Sequence, residues 1–456
     1  MRRIWKSFKA LVRAPFFRTP STPPPPPKPV KVVLPRDRHT LSRKGIDPDA
    51  LKILYRLRRF NHTAYLVGGG VRDLLLGLPV KDFDISTSAQ PNELRKIFAN
   101  CRLVGRRFRL AHILFRGKFI EVSTFRKGSD FDLAEGEDLL IRSDNTFGTP
   151  EEDAFRRDFT INGLFYSVED FSVIDHVGGL ADLERRIIRT IGDPNVRLRE
   201  DPIRMLRAIR LAARLDFQID PATLAAIYEH RSEIWKGATP RILEELHRML
   251  REGASRRSFS LLMETGLLDM LLPELAGQLV DHRRAADFWS HLDALDRLRA
   301  GGHDFTMPVL LSVVAYQNFQ SGLADVESER VDLHALAEES LGPMGKRLEI
   351  PKRHVDRAHA ILLSQRRFVA PKRKGFQPGA FAGRPHFPEA LDLLHIHAAA
   401  NPDQMPVFDR WRQYRRPEAA TEPASDLTGG PEQGVEVPRR RPRRRRRGGR
   451  KDEPTG

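Results

Sequence analysis

What this chain lacks narrows its class first. One cysteine, Cys101, stands among 456 residues. A single thiol excludes an intramolecular disulfide, and such cysteine usage suits a reducing, cytoplasmic compartment. With one possible sulfur ligand and scattered histidines, no zinc-binding spacing is evident. No apolar run approaches the roughly 18 residues that a membrane-spanning helix needs, and no internal repeat stands out. Hydrophobic residues still make up 40%, which permits a real core, and the length suits about three domains.

Acid is missing from both ends. Residues 1 to 36 carry nine Lys/Arg and no Asp or Glu, and residues 439 to 456 carry ten against two. These two segments account for the whole net charge of +17. Affinity for polyanions therefore resides in the tails, and the neutral middle must organise its positive charge locally.

Composition divides the chain further. Residues 1–45 read as a basic, proline-rich disordered arm, with Pro23 to Pro27 as a polyproline linker. A membrane-surface helix or a transit peptide is an alternative for its first 20 residues; membrane contact is not the expectation adopted. Order is expected from near Ile46, with a first helix over Asp47 to Phe60. Strands and short helices alternate across 46–185. Ala111 to Phe115 and Phe119 to Thr124 read as a hairpin turning at Arg116-Gly117-Lys118. Thr149-Pro150-Glu151-Glu152 reads as a capped helix start. Lys127 to Asn145 is polar and acidic and reads as a mobile loop. After Gly179 the pattern is helical throughout, divisible into 186–275 and 276–415. Residues 416–456 form an Arg-rich tail expected to be disordered when free. The expected fold is an α+β head, a mixed sheet with flanking helices, followed by an all-α body, with disordered basic termini.

The densest chemical signal lies between Ala64 and Asp84. An apolar run, Ala64-Tyr65-Leu66-Val67, meets Gly68-Gly69-Gly70, then a short helix closed by Gly77. Lys81-Asp82-Phe83-Asp84-Ile85 follows as a predicted strand. Residues two apart on a strand share a face, so Asp82 and Asp84 would stand together above a buried Phe83 and Ile85. Glycines allow backbone N–H groups to approach phosphate oxygens at a helix start, and paired carboxylates are hard ligands suited to Mg²⁺. Either half alone is commonly a tight turn or a solvated strand edge. Glu121, on the predicted strand Phe119 to Thr124, could face the pair.

In this order and proximity, the glycine turn and the aspartates resemble the nucleotidyltransferase superfamily of DNA polymerase beta type. The head motif Gly68-Gly69-Gly70-Val71-Arg72-Asp73 is similar to that of the branch containing bacterial poly(A) polymerases and CCA-adding tRNA nucleotidyltransferases. The resemblance implies transfer of AMP from ATP to RNA 3′ ends, with release of pyrophosphate and two Mg²⁺ ions, or Mn²⁺, at the site. Asp82 and Asp84 are the expected metal ligands. Arg156-Arg157-Asp158-Phe159-Thr160-Ile161-Asn162 resembles a block of the family's catalytic centre. On that basis Asp158 is preferred over Glu121 as the third catalytic acid. The competing reading has Asp158 pairing with Arg156 or Arg157 and bracing the site. The resemblance makes Gly68, Gly69, Gly70, Arg72, Asp73 and Arg157 nucleotide-binding.

Glu200-Asp201-Pro202-Ile203-Arg204 matches a family motif whose Asp and Arg read the incoming base, which would add Asp201 and Arg204 to the nucleotide site. Spacing alone equally allows Asp201 to be a helix N-cap. Arg204, Arg207, Arg210 and Arg214 share one helical arc, either a solvated basic face or a stripe facing RNA. Arg207 and Arg210 are expected RNA contacts, with Arg106, Arg107 and Arg109 before the strand at His112, and Arg443, Arg444 and Arg445 in the tail. The run Leu103 to Ile113 is close to the signature that separates poly(A) polymerases from CCA-adding enzymes. The expected partners are RNA 3′ ends and ATP, with RNA-decay proteins as further candidates and the chain as a monomer. The alternatives are a CCA-adding enzyme, an inactive RNA-binding scaffold and a nucleotidyltransferase acting on something other than RNA.

Overall fold

The computed structural model describes residues 31–105, 110–127, 146–324, 332–369 and 376–415. The expectations for the basic arm up to residue 30, for Arg106, Arg107 and Arg109, for most of the acidic loop and for the Arg-rich tail with Arg443, Arg444 and Arg445 lie outside the described residues.

The head is one mixed sheet of eight strands: β1 Val32–Leu34, β2 Ala64–Val67, β3 Asp84–Thr87, β4 Cys101–Val104, β5 Leu110–Phe115, β6 Lys118–Thr124, β7 Leu164–Ser167 and β8 Val173–Asp175. Their spatial order is β1-β8-β7-β2-β3-β6-β5-β4, and β3 with β6 is the one parallel pair in it. Alternation sets the faces. Ile85, Ile120, Val122, Ala111 and Ile113 are buried, while Asp84, His112 and Glu121 take the other side. A core of Val67, Phe125, Ala154, Phe165, Val177 and Ile191 holds the sheet against the segment that follows it.

Local chemistry fixes the elements around the sheet. Asp47 caps the Pro48–Arg59 helix by accepting from the Asp49 N–H at 2.8 Å. Gly117 closes the β5–β6 hairpin at φ 77°, a conformation that favours glycine. Thr149 and Glu152 form the expected capping box: the Glu152 N–H donates to Thr149 Oγ1 at 3.2 Å and the Thr149 N–H to Glu152 Oε2 at 2.8 Å. Two departures stand out. Val32–Leu34 lies inside the segment expected to be a disordered arm, yet it pairs with β8; its Val-Val-Leu composition suits an edge strand that extends a sheet. Helix is also not continuous after Gly179, because Ile187–Ile188 and Gln218–Ile219 form a small parallel pair.

Beyond it the body is helical, with long helices at Ile203–Leu215, Thr239–Arg251, His282–Ala300, Met307–Ala324, Leu333–Arg347, Lys352–Val369 and Phe387–Ala400. Asp281 and Asp332 cap two of these through their side chains. No helix among the described residues is long and apolar enough to cross a membrane.

The Pro150–Phe155 helix matters to the site because it carries Asp153. Thr149→Ala removes its cap and should cost about 1 kcal/mol of stability, read as a lower urea midpoint at unchanged m-value.

Candidate active site

Register brings the acids together. Asp84 opens β3, and Glu121 is its partner on the parallel strand β6. Asp82 lies just ahead of β3, not within it, but buried Phe83 between them leaves Asp82 and Asp84 on the outer side. Asp84 is exposed at the head of β3, yet surrounding protein still desolvates its carboxylate. Burial, then the Glu121 and Asp82 carboxylates, raise it to about 6, against the pull of Arg157 and Arg207. Burial and Asp82 raise Glu121 as well. The three carboxylates thus act as one electrostatic site with surplus negative charge, which a divalent cation would neutralise. Among the described residues no three or more His, Cys, Asp or Glu side chains stand close enough together to hold a metal ion. The donor set, all carboxylate oxygen, still fits Mg²⁺ or Mn²⁺.

Asp158 does not join this group. Its Oδ1 accepts from the Phe159 N–H at 2.8 Å and from Asn162 Nδ2 at 3.0 Å, and Arg207 Nη2 stands 2.7 Å from its Oδ2. Burial alone would raise its pKa; Arg207 and those two donors outweigh it and hold Asp158 at about 2. The expected preference for Asp158 over Glu121 as third carboxylate thus meets an Asp158 held by Asn162 and paired with Arg207, whereas Glu121 stands in register with Asp84. The bracing alternative is right in kind and wrong in partner. Arg156 and Arg157 pair with Asp153, at 3.2 and 2.9 Å.

The glycine turn meets the acids directly. Gly68 has φ 73°, and a Cβ there would lie 3.2 Å from Arg157 Nη1 and 3.9 Å from Asp84 Oδ2. Any side chain would fill the gap between that cation and that carboxylate. Gly69 starts the Gly69–Leu75 helix, and a Cβ at Gly70 would lie 3.5 Å from the Asp82 carbonyl oxygen. Arg157 is aimed by its other nitrogen: Nη2 donates to Ser86 Oγ at 3.1 Å and to Asp153 Oδ2 at 2.9 Å. Its Nε is buried with no hydrogen-bond partner among the described residues. Behind it the arginines are crowded. Burial and then Arg126, Arg157, Arg204 and Arg197 lower Arg156 to about 9. Negative surplus in front and positive surplus behind suit an occupant that carries both signs.

The other expected nucleotide and RNA contacts are ion-paired. Arg72 Nη1 donates to Asn162 Oδ1 at 2.5 Å, and its Nε to Asp73 Oδ1 at 2.8 Å. Asp73 also takes Arg214 at 2.9 Å. Buried and mutually satisfied, Arg72 and Asp73 brace the turn and present nothing to a nucleotide. Arg204 is buried, giving Nη1 to Glu200 at 2.9 Å and to the Arg197 carbonyl at 2.6 Å. Asp201 accepts a bidentate pair from Arg241 at 2.9 and 2.8 Å, and its side chain caps no helix. The expected base-reading pair thus holds separate partners, and the capping alternative is not what forms. Arg210 is buried between Glu245 and Glu252, so its expectation as an RNA contact is corrected; Arg207, half-buried, is committed to Asp158. Neither a solvated face nor an RNA stripe describes this arc.

Sequence reasoning passed over Ser86, Asp153 and Arg197. Asp153 had a signal in its i,i+4 spacing to Arg157. Ser86 had none, and Arg197, which donates to the Arg156 and Arg157 carbonyls at 2.8 Å, showed only its i,i+3 spacing to Glu200, because those carbonyls are distant in sequence.

Comparison with known proteins identifies the family. Family models match residues 64–189 as a poly A polymerase head domain and 216–279 as a probable RNA and SrmB-binding site of polymerase A. A third matches 328–448 as a polymerase A arginine-rich C-terminus. The poly(A) polymerase I of Salmonella typhi is 38% identical over 409 residues, 85% of this chain and 86% of that protein. The chain belongs to the poly(A) polymerase and tRNA nucleotidyltransferase family. Within the family, a CCA-adding enzyme of Geobacillus stearothermophilus is 38% identical over 54% of this chain and 60% of its own. The crystal structure of the Bacillus stearothermophilus CCA-adding enzyme with CTP shares the fold, with a TM-score of 0.58 and 28% identity, covering 81% of this chain and 82% of that one.

Two outcomes test the carboxylate assignment. In metal-free protein, Asp84→Asn should raise the melting temperature above pH 6, where the native carboxylate is ionised against its environment. The difference should vanish below about pH 4, where Asp84 is protonated in both folded and unfolded states. Asp158→Asn behaves oppositely. It should lower stability at neutral pH by about 3–5 kcal/mol, a deficit that shrinks as acid protonates the wild-type carboxyl towards pH 2. Glu121→Gln should leave melting unchanged or higher.

Proposed function

We propose that this chain is a template-independent poly(A) polymerase, transferring AMP from ATP to RNA 3′ ends and releasing pyrophosphate. The observation that carries the reading is reach. The poly(A) polymerase relative matches 85% of the chain, through the helical body, whereas the CCA-adding relative matches 54%. The CCA-adding enzyme is the second reading, favoured by the shared fold of the solved enzyme. An inactive scaffold is disfavoured, because Asp82, Asp84 and Glu121 are all present on one side of the sheet.

Asp82, Asp84 and Glu121 would hold Mg²⁺, which supplies charge stabilisation at the phosphoryl group and lowers the pKa of an attacking hydroxyl. The chain's own groups do the rest. Gly68 gives the triphosphate close approach to the backbone, and Arg157, held by Ser86 and Asp153, places a guanidinium beside it. The half-buried Arg156 and Arg197 add a field of the same sign without needing contact. Helices of 186–275 form the base and RNA side, 276–415 a further helical domain, and the terminal arginines hold RNA by charge. The enzyme works as a cytoplasmic monomer that meets RNA-decay proteins through its RNA.

The test supplies Mg²⁺, each NTP separately and two RNAs, one generic and one a tRNA lacking its CCA end. Long tails from ATP alone on the generic RNA are expected; CTP-then-ATP addition confined to the tRNA overturns the reading. Asp82→Ala and Asp84→Ala should each lose at least roughly a thousandfold in rate while staying folded.

A further inference from the structure

Beside the carboxylates the sheet carries groups that phosphoryl transfer does not use. Arg102 on β4, His112 on β5, Glu121 on β6 and Asp84 on β3 are successive register partners. They make one row running from the edge strand to the acids. His112 Nε2 stands 3.4 Å from Glu121 Oε1. The His112 ring lies flat on Phe119, with centroids 4.2 Å apart and planes at 12°. Phe119 is 47% exposed, and Leu114, opposite it in register, is 46% exposed. A phenylalanine backed by one ring and open on its other side is a platform rather than a core residue. Arg102 is exposed, and no carboxylate among the described residues pairs with it.

We propose that this platform receives the base of the RNA's 3′-terminal nucleotide on Phe119, with Arg102 towards the RNA backbone. The proposal rests on the polymerase reading above. In phosphoryl transfer the attacking and leaving oxygens lie roughly in line across the phosphorus. Gly68 and Arg157 flank Asp84 on its β2 side, which gives the departing pyrophosphate that side. Attack then comes from the β6 and β5 side, where Phe119 stands. Phe119 precedes Glu121 by two residues on the same face, about 7 Å along the strand, a span that one nucleotide covers between its 3′-oxygen and its base. Stacking on an aromatic face tolerates any base, as a primer site must when it accepts arbitrary RNA ends and then its own adenylate product.

The test is a binding titration that needs no turnover. Two oligoribonucleotides are compared, one intact and one lacking only its 3′-terminal base, against the full-length chain and its Phe119→Ala and Phe119→Trp variants. The wild type should bind the intact RNA roughly tenfold tighter than the abasic one, the scale of one base–aromatic stack. Phe119→Ala should bind the two alike, and Phe119→Trp should restore the difference. Equal affinity of the wild type for both RNAs overturns the proposal. So does a base-removal penalty that is the same in wild type and Phe119→Ala, or a raised KM for ATP in Phe119→Ala with RNA binding unchanged. Because affinity is read directly, failure of AMP transfer would count against the polymerase reading and leave this result standing apart.

Discussion

Repulsion among Asp82, Asp84 and Glu121 is what the head is built to sustain. Left to solvent, three carboxylates would spread apart. Here a parallel strand pair fixes two of them side by side, and buried Phe83 and Ile85 hold the third facing outward. Burial first, and the neighbouring Glu121 and Asp82 carboxylates after it, lift Asp84 to about 6. The surrounding fold supplies the opposite excess a short way off, in arginines so crowded that Arg156 falls to about 9. Each cluster is uncomfortable alone. Together they make a field whose natural occupant carries both signs, a divalent ion on a polyphosphate.

The neutral charge of the middle of the chain follows from how its arginines are spent. Along the Ile203–Leu215 helix, Arg204, Arg207, Arg210 and Arg214 meet Glu200, Asp158, Glu245 with Glu252, and Asp73. These are buried or half-buried pairs, and removing one partner would leave a charge with nowhere to go. What looks in sequence like a polyanion-binding stripe is the wiring between the catalytic sheet and the helices that follow it. Arg102 on the sheet edge stands outside these pairs, and the two tails hold the chain's net positive charge.

The features legible in sequence were those whose cause is local. The Gly68 turn, the outward pair Asp82 and Asp84, the Thr149–Glu152 capping box and the Gly117 hairpin each depend on residues within a few positions. Long-range pairing was the hidden part. Glu121 and Asp158 look alike as candidates until strand register puts one beside Asp84 and a helix more than forty residues downstream of Asp158 supplies Arg207. Arg72 and Asp73, inside the strongest motif of the chain, proved to be structural because Asn162 and Arg214 reach them from 90 and 141 positions away. Spacing identified which residues share an arc but not what stands opposite that arc. The edge strand Val32–Leu34 escaped because three residues next to a proline-rich arm give too short a pattern to separate from coil.

Arg207 and Arg214 lie seven positions apart, two turns of one helix and about 10 Å along its axis. They grip the head at two points, Asp158 ahead of β7 and Asp73 in the Gly69–Leu75 helix, which Arg72 and Asn162 tie to each other. A rod bolted to a frame at one point can swivel; bolted at two, it moves only with the frame. The first long helix of the body is therefore carried with the catalytic sheet as a single piece. Any flexing that lets a lengthening RNA advance by one nucleotide must be taken up beyond this joint.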